Sequence, residues 1–137
     1  MATIFFDAGA TILENALAGN TMATGVRYLG LVKTQVTDRL STVNELTDTG
    51  YSRQLITFDA PTLINNKETL QNSNAITFGE FTAAGENIVG AVLFDAQTGG
   101  NALCYTDLTY TSTTEVNKTI NFDTDTHRIN FTVNQAA

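Results

Sequence analysis

Only one stretch of this chain carries apolar residues at helical spacing; elsewhere they fall in short runs, mostly with period two, cut by turn residues. At 9–18 (GATILENALA), Ile12, Leu13, Ala16 and Leu17 share one face, and Gly19-Asn20 stops the helix. A helix this short needs a surface to pack on. Strands are predicted at 26–32 (VRYLGLV), 51–58 (YSRQLITF), 62–64 and 75–78, with Pro61 ending the pairing of the second because it lacks an amide proton. The run at 87–94 (NIVGAVLF) is apolar at successive rather than alternate positions, which predicts a central strand covered on both faces. A glycine-bearing loop of hairpin length, 95–101, follows it, and 101–108 returns antiparallel. The clearest alternation is C-terminal. In 118–122, Ile120 and Phe122 point inward. In 128–133, Ile129, Phe131 and Val133 point inward and Arg128, Asn130 and Thr132 outward. Asp123-Thr124-Asp125-Thr126 is the turn between these two strands.

This pattern predicts a mainly β chain: an antiparallel β-sandwich or jelly-roll-like fold with one short N-terminal helix. Residues 1–8 form an N-terminal arm or edge strand and 9–137 a single β-sandwich domain, with no internal repeat. Phe5 and Phe6 are adjacent, so one of them faces away from any single sheet face. Ile4, Phe5 and Phe6 are therefore candidates for an arm that docks on a neighbour.

Composition narrows the function. Hydrophobic residues make up 42% of the chain, enough for a core, but charged residues only 15%, against about 25% in ordinary soluble domains. Seven cations against 14 acids, a net charge of −7, exclude binding by phosphate neutralisation, so no nucleic-acid partner is expected. No apolar run approaches the roughly 18 residues that cross a bilayer, so no membrane partner is expected either. Thr and Asn, as in 64–74 and 109–119, carry the surface, and Lys occurs only at 33, 67 and 118. Neutral hydroxyls surrender less hydration than ammonium groups, so such a surface is cheap to cover in an assembly.

Chemistry-bearing groups are few, and each has a structural explanation. His127 follows Asp123 and Asp125, but these acids span a turn where Asp makes local hydrogen bonds, so no metal site is assigned. No serine lies in a nucleophile elbow. Cys104 sits in an apolar strand, where an inert buried thiol is the rule. No glycine pattern cradles phosphate and no cofactor is expected. Without Trp, the chain lacks the usual aromatic platform for sugars. Arg53, beside Tyr51 and Leu55 on one strand face, predicts an ion pair that closes the fold or joins subunits.

Several motifs, taken in order, carry a resemblance. They are YLGL (28–31), GYSRQ (50–54), ITF (76–78) and FDAQTGGN (94–101), after a short Leu-bearing helix. Across roughly 9–108 the chain resembles a family of small tailed-bacteriophage virion proteins, many from cyanobacterial phages, often labelled tail fibre proteins. The resemblance implies a non-enzymatic virion structural protein made in the host cytoplasm. A fibre shaft needs repeats or heptads, which the chain lacks. The leading expectation is therefore a capsid decoration or cement protein on the capsid exterior. It would clamp the major capsid protein as a homo-oligomer, dimer or trimer. A tail or tail-fibre adaptor, with or without glycan binding, is the alternative. Contacts are expected from Ile4, Phe5 and Phe6, from Arg53, and from Asp95, Gln97, Gly99, Gly100 and Asn101 in the hairpin loop.

Overall fold

The structure, a computed structural model, describes residues 3–21, 25–65, 67–124 and 126–131. In chain order the elements are β1 (Thr3–Phe5), α1 (Asp7–Leu17), β2 (Arg27–Val32), β3 (Gln54–Ile56), β4 (Thr62–Ile64), β5 (Lys67–Gln71), β6 (Ile76–Phe78), β7 (Asn87–Phe94), β8 (Ala102–Thr113), β9 (Ile120–Phe122) and β10 (Arg128–Phe131). The fold is mainly β with one helix, and its strand pairings are antiparallel. A five-stranded sheet has the order β1-β8-β7-β2-β3; beside it lie a three-stranded sheet, β10-β5-β4, and a two-stranded one, β6-β9.

β7 is the middle strand of the main sheet, as its doubly apolar run requires. Leu29, Leu31, Ala91, Leu93 and Cys104 cover one face and pack against Ile76 and Phe78 of β6, Phe81, Leu46 and Ile56. This gives the sandwich-like layering. On the other face Val32, Val92, Phe94 and Tyr105 pack with Phe6 and with Val36 and Val43 from the connection after β2. Because both faces are covered, the adjacent Phe5 and Phe6 each find a core: Phe5 joins the first cluster and Phe6 the second. Residues 3–5 are thus an edge strand, paired Thr3 to Thr106, Ile4 to Tyr105 and Phe5 to Cys104.

The helix begins two residues before its expected start, and its packing face differs from the expected one. Ala8, Gly9 and Ile12 face the sheet, whereas Leu13 is 36% and Leu17 89% exposed. The cause is Gly9, which lies so close to the Leu103 carbonyl that any Cβ would collide with it. That contact sets the helix's rotation, and Leu17 then lies about 80° around the helix from it.

The two C-terminal strands, joined by the 123–126 turn, do not pair with each other. β9 pairs with β6, and β10 pairs with β5, so the two strands with the clearest alternation enter different sheets. Asn72, fully buried, makes the division. Its Nδ2 donates to the carbonyls of Asn74 (2.7 Å) and Asp123 (2.8 Å), and its Oδ1 accepts from the backbone N–H of Thr126 (3.1 Å) and His127 (2.8 Å). β5, within the stretch read as polar surface, buries Thr69. Asp125, Thr132 and Val133 lie outside the described residues, as do the side-chain directions expected for 128–131.

Candidate functional site

The motifs GYSRQ and FDAQTGGN, about forty residues apart in sequence, meet at one edge of the main sheet. β3 pairs with β2 only as far as Leu29. Past that point the exposed ladder is completed by other groups. The Leu31 N–H donates to the Tyr51 hydroxyl (3.0 Å), and the Leu31 carbonyl accepts from the Leu46 N–H (3.2 Å). The Tyr51 hydroxyl in turn donates to Glu45 Oε2 (2.6 Å). Glycine at position 30 makes room: a Cβ there would lie 2.7 Å from the Tyr51 oxygen and 2.8 Å from the Phe94 ring.

Arg53 joins this edge to the loop. Its Nη2 pairs with Glu45 Oε1 at 2.6 Å, and Nε reaches both oxygens of the same carboxylate at 3.2 and 3.1 Å. Its Nη1 donates to the carbonyls of Ala96 (2.9 Å) and Gly99 (2.7 Å), and the guanidinium lies 3.4 Å above the Phe94 ring centre. Arg53 is a positioning residue, because the groups it holds are backbone carbonyls of the loop. Asp95 closes the loop base by accepting from the Asn101 N–H (2.7 Å) and side-chain amide (3.0 Å). Gly99 and Gly100 supply the left-handed backbone, with φ of 63° and 67°. Between strand and loop lies an open cleft of about 360 Å³ lined by Glu45, Leu46, Tyr51, Ser52, Arg53, Gln97, Thr98 and Gly99.

The electrostatics follow from these contacts. Burial pushes the Glu45 carboxyl up, but the hydrogen bonds from Arg53 and Tyr51 outweigh it and hold the group below the usual carboxylate range. Burial, and then the Glu45 carboxylate, push the Tyr51 phenol well up. The Asn101 N–H draws Asp95 down. A second pair of acids stitches the neighbouring loops. Asp48 accepts from the N–H groups of Thr82, Gly50 and Ala83, which lower its pKa. Glu86 accepts from Thr47 and Asp48 and pairs with Lys33 at 3.2 Å.

Of the expected contact residues, Arg53, Asp95, Gln97, Gly99, Gly100 and Asn101 are brought together here. Ile4 and Phe6 pack in the sheet's second core cluster and Phe5 in the first. His127 is 3% exposed, its Nε2 is 3.3 Å from Thr106 Oγ1, and burial pushes its pKa down to about 4. Burial pushes the Cys104 thiol up to about 12. Among the described residues no three His, Cys, Asp or Glu converge as metal ligands. Sequence reasoning missed Glu45, which meets Tyr51 and Arg53 six and eight residues on, and Asp48, Glu86 and Asn72, each with partners 34 or more residues away. No local signal marked them.

The body is β-layered, and Arg53 is turned inward to hold a polar loop in shape. Residues 7–130 match the family model described as podophage GP4 fiber I protein gp80. The chain belongs to that family, and is a bacteriophage virion structural protein of the tail-fibre type. No curated protein matches it.

Proposed function

We propose that the chain is a tail-fibre component that works by contact alone and presents the 95–101 loop and its cleft as the contact surface. The observation that carries this is the use of Arg53. A guanidinium only 11% exposed gives its donors to Glu45 and to two loop carbonyls. The tip residues Gln97 to Gly100 stay exposed. A loop ordered before binding loses little entropy on contact, which favours affinity from a small area. Membership of a fibre family supports the tail location over the capsid exterior. The low-charge surface is compatible with either, including a clamp on the major capsid protein.

The test is to separate heads from tails of intact particles and probe each with antibody against this chain. Label confined to the tail fraction is expected. Label on heads at hundreds of copies would replace the fibre reading with shell decoration. Turnover of any substrate by the purified chain would remove the contact-only role. A glycan array asks whether the cleft's partner is a sugar, and any binding it shows should fall in Gln97→Ala.

A further inference from the structure

Toward its C-terminal end α1 carries two leucines, Leu13 and Leu17, that neither core cluster of the described residues takes up. Leu17 projects almost wholly into solvent, and Leu13 shares its side of the helix one turn earlier. Beside the same helix opens an apolar recess of about 130 Å³, lined by Phe5, Ile12, Leu13, Leu70 and Leu103, with Arg27 also in its wall. Apolar cavities near this size accept a small hydrocarbon group.

The charges around this patch are complementary. Glu14, between Leu13 and Leu17, has no cation within 4.0 Å among the described residues, and Arg27 has no carboxylate within that distance. The nearest acceptor recorded for Arg27 is the Val26 carbonyl at 3.4 Å.

We propose that a second copy of this chain covers the patch, α1 against α1 about a two-fold axis. Antiparallel helices crossing near Leu13 bring residue 17 of one copy opposite residues 9 to 13 of the other. Leu17 of each copy then enters the recess of its partner, and Glu14 of each faces the partner's Arg27. Protrusion, recess and both charges come from one surface, so every contact is made twice.

Sedimentation equilibrium of the full chain over a range of concentrations tests this. A reversible dimer is expected, weakened about 100-fold or more in Leu17→Asp, since the two-fold axis removes one buried leucine from each copy. Leu17 is exposed, so an unchanged circular dichroism spectrum should accompany the loss, with Leu17→Ser as the milder variant. Glu14→Arg and Arg27→Glu should each weaken the dimer, and the double reversal should restore it. Arg27 also acts at longer range on Asp95, so the thermal midpoint of each variant is read alongside. A monomer at every concentration, a dimer indifferent to Leu17→Asp, or a double reversal without recovery overturns the proposal.

Discussion

Arg53 concentrates at one residue the interactions that hold two distant segments together. Replacing it by Met leaves Glu45 half-buried without its cation and two loop carbonyls without donors. We expect Arg53→Met to lower stability by about 2–4 kcal/mol in urea unfolding. Arg53→Lys should recover only part, since one ammonium cannot face a carboxylate, two carbonyls and an aromatic ring together. His127 gives a prediction in pH. Its folded pKa, about 4, lies below the ordinary 6.5, so between these values the unfolded chain binds the extra proton. Its contribution is intact above pH 6.5 and is lost as pH falls toward 4. The thermal midpoint should fall between pH 6.5 and 4.5, a window above most carboxylate titration, and His127→Gln should flatten that fall.

At the scale of elements, legibility in the sequence tracked how local the cause was. β2, β6 and β7 were legible, with ends within a residue of those observed, because alternation or a doubly apolar run records the faces a strand will meet. The 95–101 turn was legible through its glycines. β5 was not, because Thr69 is buried by its sheet neighbours rather than by its own hydrophobicity. The partners of β9 and β10 were not legible for a related reason. A short turn suggests a hairpin, but a buried amide on Asn72 binds that turn's backbone and sends its two strands to different partners. Asn72→Ala should therefore cost roughly 2–4 kcal/mol, by leaving buried backbone groups unpaired. Hydrogen exchange should show protection lost first around β9 and β10, before the main sheet.

For the whole molecule, a small set of charges is tied into the fold rather than spread as a solvated shell. Glu45, Asp48, Glu86 and Asp95 all have lowered pKa values. Groups of this kind stabilise the fold above their unfolded pKa values, near 4, and stop doing so as pH falls through the lower folded values. Acid unfolding should accordingly steepen below about pH 4. Asp48→Asn should reduce that steepness and lower the midpoint at neutral pH, since one amide oxygen cannot accept all the donors that meet the carboxylate. The measurement is the thermal midpoint from pH 7 to 2.5.

By itself the sequence determined the class of fold, the position of the central strand, the hairpin loop and the kinship with phage virion proteins, because periodicity, turn chemistry and motif order are properties of neighbouring residues. Only the tertiary structure decided which way α1 turns its leucines, which sheets receive the last two strands, and that Arg53 is committed to the loop of its own chain. Those outcomes depend on the Leu103 carbonyl, the Asn72 amide and the Arg53 guanidinium meeting partners across long stretches of chain, and no local pattern encodes such a meeting.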